Sequence, residues 1–174
     1  MTKLKLDLVC QVAVVVPDLE KGLEQVRTLF GIDESSVSFG ESLELIRSGR
    51  LEPQIYNGVR GEYAYHQVNF FMGGMDIEMF APVEGSTRDP ISDFLKEHGP
   101  GIHHLNIRLA NREEGLRFLE EELKKVPLLE GHFLGRHFAY FDMREELGIT
   151  FEVGSRVVGP RASMAQAEIT ALLQ

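Results

Sequence analysis

Sliding the chain along itself by 93 residues (104 minus 11) lays Gln11 on His104 and, with no gap, Val12 on Leu105, Val14 on Ile107, Val16 on Leu109, Glu20 on Glu113, Gly22 on Gly115, Leu23 on Leu116 and Val26 on Leu119. A second shift of 74 residues (152 minus 78) lays Gly74 to Phe80 on Gly148 to Gly154 and Glu78 on Glu152. Self-similarity of this kind marks two copies of one supersecondary unit. The smaller second shift means a shorter loop in the second copy. The expected plan for residues 1–174 is a single domain: a first module over 8–82, a second over 100–155, and a C-terminal helix over 160–174 that docks on the body or on a partner subunit.

Hydrophobic periodicity supplies the elements. Residues 6–16 alternate Leu6, Leu8, Cys10, Val12, Val14 and Val16 against Asp7, Val9, Gln11, Ala13 and Val15, a strand pattern rich in β-branched side chains. Pro17 ends it, Asp18 can cap a helix carrying Leu19, Leu23, Val26, Leu29 and Phe30, and Gly31 stops that helix. The polar stretch 33–57 is expected to hold at most one short strand, near Leu43 to Ile46. Runs 63–72 and 75–81 flank Gly73-Gly74, a hairpin signal. A connecting helix is expected over 90–98, followed past Gly99-Pro100-Gly101 by a strand through Leu109. Each copy then reads strand, helix, three strands, which places the chain in the α+β class.

A chain of 174 residues with 43% hydrophobic content buries one sizeable core, and a formal net charge of −9 leaves no basic stripe for nucleic acid or an anionic membrane. One cysteine, Cys10, excludes an internal disulfide and a multi-cysteine zinc site. The longest apolar run, Val12 to Val16, is too short to cross a bilayer, and the first residues lack the apolar core of a leader. A cytoplasmic protein acting on a small molecule is the expectation.

The two-residue period of a strand singles out four polar groups. His103, Leu105, Ile107 and Leu109 share the face that packs against helices, so His103 reads as structural and His104 points the other way with Asn106 and Arg108. Likewise Glu78 opposes Met75, Ile77 and Met79 (with Ala81), Glu152 opposes Ile149, Phe151 and Val153, and Gln11 lies on the face away from Val12 and Val14. Buried carboxylates are costly alone. One imidazole, two carboxylates and one amide oxygen suit a divalent cation such as zinc, nickel, cobalt, manganese or iron(II), with positions left for substrate.

The duplicated architecture and these four residues resemble the vicinal oxygen chelate (glyoxalase) superfamily. That resemblance implies paired βαβββ modules forming a curled mixed sheet around a central cavity, with Gln11, Glu78, His104 and Glu152 at metal-ligand positions. Within it, Asp76-Ile77-Glu78-Met79-Phe80-Ala81-Pro82, Asp89-Pro90-Ile91-Ser92-Asp93-Phe94-Leu95 and Gly99-Pro100-Gly101-Ile102-His103-His104-Leu105 resemble the methylmalonyl-CoA epimerase family, and Gly148-Ile149-Thr150-Phe151-Glu152-Val153 matches its closing strand. The likeness spans about residues 8–155. Two departures stand out: those epimerases carry histidine where this chain has Gln11, and they place a further carboxylate on the strand that here reads Tyr65-His66-Gln67-Val68-Asn69-Phe70-Phe71. The present ligand set is similar to that of zinc-type glyoxalase I.

The resemblance implies inversion of a stereocentre next to a carbonyl through an enolate, with Glu78 and Glu152 as ligands that double as acid and base. His66 is the fallback base and Glu62 a further candidate. Tyr65, Gln67, Asn69, Phe71, Arg108 and the region from Phe133 to Tyr140 would shape the substrate cavity. The expected substrate is an acyl-CoA thioester or a ketone such as a dihydroisoflavone, and the expected assembly a homodimer. The alternatives are a glyoxalase I-like isomerase and a non-catalytic binding protein of the bleomycin-resistance type.

Overall fold

The structure, a computed structural model, describes residues 3–86 and 88–154. The helix expected over 160–174 lies outside them. In chain order the elements are β1 (Leu6–Val15), α1 (Leu19–Leu29), β2 (Asp33–Glu41), α2 (Ser42–Arg47), β3 (Gln54–Tyr56), β4 (Val59–Gly61), β5 (Tyr65–Met72), β6 (Met75–Pro82), α3 (Pro90–His98), β7 (Gly101–Leu109), α4 (Arg112–Arg117), β8 (Leu129–Phe133), β9 (Arg136–Met143), α5 (Arg144–Leu147) and β10 (Ile149–Gly154). A π-turn over Phe118–Glu122 continues α4.

The strands form one mixed sheet in the order β2-β5-β6-β1-β7-β10-β9-β8-β3-β4. β1 and β7 run antiparallel at its centre, and each is flanked by the last strand of its own copy in parallel, β6 beside β1 and β10 beside β7. The sheet curls: the Tyr65 hydroxyl on β5 donates to Gln54 Oε1 on β3 at 3.2 Å, joining strands near opposite ends of the order. On the convex side, α1 buries Leu23 against Val12, Val14, Val68, Phe70, Ile77 and Met79, while Leu116 and Leu119 pack on Ile107, Leu109, Phe141 and Val153. On the concave side, α3 closes one end with Ile91 and Phe94 over Ala13, Val15, Tyr65 and Phe80.

The repeated glycines have a shared packing cause. A Cβ at Gly22 would stand 2.8 Å from Met79 Sδ and 3.1 Å from Val16 Cγ2, and one at Gly115 would stand 2.3 Å from Leu109 Cδ1. Each helix therefore lies so close to the sheet that a larger residue would require Met79 or Leu109 to move. The expected caps also form, with Asp18 accepting from Lys21 N and Asp89 from Ile91 N and Ser92 N. Gly73 and Gly74 both take positive φ in the β5–β6 hairpin.

Three expectations are corrected. The stretch 33–57 holds the strand β2, the helix α2 where a strand was expected near Leu43 to Ile46, and the short strand β3. β2 is polar because it is a sheet edge whose ladder partner, β5, supplies the order its side chains do not signal. At the start of α2, the Ser42 hydroxyl donates to Tyr63 O and accepts from Tyr65 N, which fixes the turn. The first module consequently contains α2, β3 and β4 beyond the three strands expected. Of the apolar residues expected on the helix, Leu29 is its last residue and Phe30 its C-cap, and they are 71% and 70% exposed because the helix ends there. No helix among the described residues is long and apolar enough to cross a membrane.

Replacing Gly115 by valine should cost about 1–3 kcal/mol through overpacking against Leu109, read as a lower urea midpoint at unchanged m-value. A shift below about 0.5 kcal/mol, the usual range for surface changes, would contradict the close-approach account.

Candidate metal centre

The register of the four central strands decides which side chains meet. Ala13 faces Glu78 on one side and His104 on the other, and His104 faces Thr150. In the next row Gln11 lies between Asp76 and Asn106, and Asn106 faces Glu152. All these residues share the concave face. His104 Nε2 stands 3.1 Å from Glu152 Oε2 and 3.8 Å from Glu78 Oε2. One ligand atom from each of Glu78, His104 and Glu152 lies within 4.8 Å of the other two, the spacing a single ion requires.

A bulge at His103, where Ala13 pairs with His104 but Val14 with Ile102, turns the two neighbouring imidazoles toward each other. Their Nδ1 atoms are 2.8 Å apart. The bulge thereby corrects the face expected for His103: its ring leaves the side of Leu105, Ile107 and Leu109 and packs on the concave side, 4.7 Å from that of Phe94 on α3. In the tautomer where His104 Nδ1–H donates to His103, the Nε2 lone pair faces both carboxylates. Complete burial pushes the His104 imidazole down to about 3, and desolvation holds His103 well below its ordinary range too. His104 is therefore neutral, the form that binds a cation, and provides no positive charge to Glu78 or Glu152.

These residues fit a divalent cation. Gln11 is 1% exposed and its Nε2 has no hydrogen-bond partner, and His104 Nε2 is buried without one despite the nearby carboxylate oxygens. A neutral imidazole beside two carboxylates forms a mixed nitrogen and oxygen donor set. Glu78, His104 through Nε2, and Glu152 are the groups among the described residues able to hold the ion.

The other sequence candidates fall in different places. Asn69 Nδ2 donates to Glu78 Oε1 at 3.4 Å, and Tyr65 shares its face of β5. Gln67, on the same face, lies against Gly40, and Phe71 faces Asp76 across the hairpin. His66 alternates with Val68 and Phe70 onto the convex face under α1, so the structure does not bring it to the cluster. Arg108 donates to Asp7 at 2.6 Å at the far end of the concave face, and Glu62 is exposed near the start of β5. Within the Phe133 to Tyr140 region, the Tyr140 ring centroid is 4.4 Å from that of His104. Sequence reasoning missed Asp76, buried beside Gln11, although the period that selected Glu78 also selects it. It missed Gln54 too, which sits in the stretch read as polar loop.

The family model described as glyoxalase/bleomycin resistance protein/dioxygenase superfamily matches residues 10–140. Among solved structures, methylmalonyl-CoA epimerase from Mycobacterium tuberculosis is similar over 95% of this chain and 97% of its own, with a TM-score of 0.58 at 16% identity. A hypothetical protein from Bacillus halodurans aligns over 87% and 96%, with a TM-score of 0.54 at 18% identity. A variant of Streptomyces coelicolor methylmalonyl-CoA epimerase in complex with 2-nitronate-propionyl-CoA aligns over 90% and 100%, with a TM-score of 0.54 at 10% identity. At these identities the likeness is one of fold. No curated protein matches the sequence.

The two depressed histidines predict acid sensitivity in metal-free protein. Unfolded, each takes up a proton as pH falls through about 6.5; folded, neither does, so stability present above that pH is lost below it. Between pH 7 and 5 the unfolding free energy from urea titration should fall at up to about 1.4 kcal/mol per pH unit per histidine, and with it the midpoint, less steeply in His103→Gln. A midpoint independent of pH over that range would contradict the assignment.

Proposed function

The chain belongs to the glyoxalase/bleomycin resistance protein/dioxygenase superfamily, and from that membership we propose that it is a metal-dependent epimerase or racemase acting at a carbon next to a carbonyl. The observation that carries this reading is the convergence of Glu78, His104 and Glu152 ligand atoms within 4.8 Å at the centre of the curled sheet. Gln11, Glu78, His104 and Glu152 would hold the ion, which when bound lowers the energy of negative charge developing on a substrate carbonyl oxygen.

The chain's own residues supply the proton chemistry. Glu78 approaches from β6 and Glu152 from β10, on opposite sides of the β1–β7 pair. An acidic carbon seated between them has one carboxylate on each face. One carboxylate takes the proton from one face, and the other, already protonated, delivers its own proton to the opposite face, which inverts the stereocentre and leaves the two protonation states exchanged. Asn69 Nδ2 orients Glu78 through its hydrogen bond to Oε1. The rings of Phe80 and Tyr140, which flank the imidazole of His104, exclude water from the reacting carbon.

The substrate in this reading is an acyl-CoA thioester or a ketone, and the working unit is a cytoplasmic homodimer. A methylmalonyl-CoA epimerase solved with methylmalonyl-CoA and a Streptomyces coelicolor one solved with 2-nitronate-propionyl-CoA support the thioester. The buried Gln11 amide favours a second reading, a glyoxalase I-like isomerase, because the amide stands where the epimerase resemblance calls for histidine.

Elemental analysis of purified protein should find one divalent ion per chain, lost in His104→Ala; stoichiometric ligand binding without metal would favour a binding protein instead. In D2O, deuterium should enter the stereocentre of methylmalonyl-CoA or of a racemisable ketone such as a dihydroisoflavone. Glu152→Gln should slow that exchange by about 10²-fold or more, the share of one general acid or base. Metal-loaded protein that exchanges none of these but converts a glutathione hemithioacetal would overturn the epimerase reading in favour of the isomerase.

A further inference from the structure

Gln54 is buried to 1% exposure, its Nε2 has no hydrogen-bond partner, and neither the four ligand positions nor the two-base chemistry uses it. An unsatisfied buried donor costs free energy that only an acceptor can recover. Its place in the fold identifies where that acceptor would come from. β3 pairs with β8, at the edge of the second module's strands, although it belongs in sequence to the first.

The surrounding contacts form a closed circuit. The Tyr65 hydroxyl donates to Gln54 Oε1 at 3.2 Å. The Tyr65 ring stands edge-on to Phe80 at 5.5 Å, and Phe80 lies 6.2 Å from His104. His104 lies 4.4 Å from Tyr140, and Tyr140 lies 5.9 Å from Phe138. Phe138 Cζ and Gln54 Cγ both crowd the face of Gly131, at 2.9 and 3.2 Å from where its Cβ would be, which returns the circuit to Gln54. Gln54 and His104 thus lie on opposite arms of this circuit on the concave side of the curled sheet, with aromatic rings between them both ways round. Burial raises the Tyr65 pKa, so the phenol stays protonated and holds Oε1, leaving Nε2 as the free end of the amide.

We propose that Gln54 is a specificity-determining residue whose Nε2 donates to a second acceptor oxygen of the substrate, remote from the reacting carbonyl, with Tyr65 as the positioning residue that orients the amide. The substrate class is a carbonyl compound bearing such an oxygen, either a keto or a carboxylate oxygen. The inference rests on the carbonyl-substrate reading above, yet it concerns recognition rather than proton transfer.

Three N-acetylcysteamine thioesters that differ only beyond the α-carbon test it: 2-methylacetoacetyl, 2-methylmalonyl and 2-methylbutanoyl, bearing a keto oxygen, a carboxylate and no acceptor. In the full metal-loaded protein, the Gln54 side-chain amide is identified in an 1H–15N spectrum by its loss in Gln54→Leu. It should shift with the keto or the carboxylate probe, which names the acceptor, and stay in place with 2-methylbutanoyl. Gln54→Leu should weaken binding of the shifting probe about tenfold, the share of one buried hydrogen bond, and leave the 2-methylbutanoyl affinity unchanged. Tyr65→Phe, which removes only the hydroxyl, should give a smaller loss confined to the same probe. Equal weakening of all three probes, an unmoved amide, or no binding by any probe would overturn the proposal. A Gln54 response without deuterium exchange at the α-carbon would sink the epimerase reading and leave this one standing; exchange without the response would do the reverse.

Discussion

The antiparallel pairing of β1 with β7 is the constraint on which the rest depends. Because those two strands are the repeat-related first strands of each copy, their pairing puts Gln11 and His104 on one concave face and β6 and β10 at equal remove on either side. The parallel ladders then carry Glu78 and Glu152 into the rows of Ala13 and Asn106. A slip of one residue in either ladder would send a carboxylate to the helix-covered face. The apolar clusters beneath α1 and α4 hold that register, and the close approach at Gly22 and Gly115 fits each helix to its strand.

Electrostatics give this arrangement its purpose. Two carboxylates and a neutral imidazole meet where little water reaches, so charge on the carboxylates would have to be offset by something other than a protonated histidine. A bound cation would do so, and the same low dielectric that makes isolated charges costly would strengthen its effect on a substrate oxygen. The bulge at His103 belongs to this design, since it lets one imidazole fix the ring of the other while packing on α3.

What was legible in the sequence followed from periodicity. The faces carrying Glu78, His104 and Glu152 could be read because each interrupts an apolar strand, and the repeat related them without any structure. Asp76 obeys the same alternation, but the shift that lays Glu78 on Glu152 lays it on Thr150, so the repeat gives it no acidic counterpart. The bulge was not readable, since nothing in Ile102-His103-His104 marks an extra residue in a ladder. β2, α2 and β3 were illegible for a different reason: their order comes from partners distant in sequence, such as Tyr63 and Tyr65 around the Ser42 hydroxyl and β8 beside Gln54. His66 is the fallback base of the sequence reading although its alternation with Val68 and Phe70 already points it to the helix-covered face, and Arg108 could not be placed from sequence because its tie to Asp7 crosses between modules.

The central claim is that one divalent cation is shared by residues from both copies of the repeat. Anomalous diffraction from crystals of the metal-loaded protein, recorded at the absorption edge of the bound element, tests it most directly. The account predicts a single peak at about 2.0–2.2 Å from His104 Nε2 and from an oxygen of each of Glu78, Glu152 and Gln11. A peak ligated from one copy alone, or lying away from the β1–β7 seam, would contradict it.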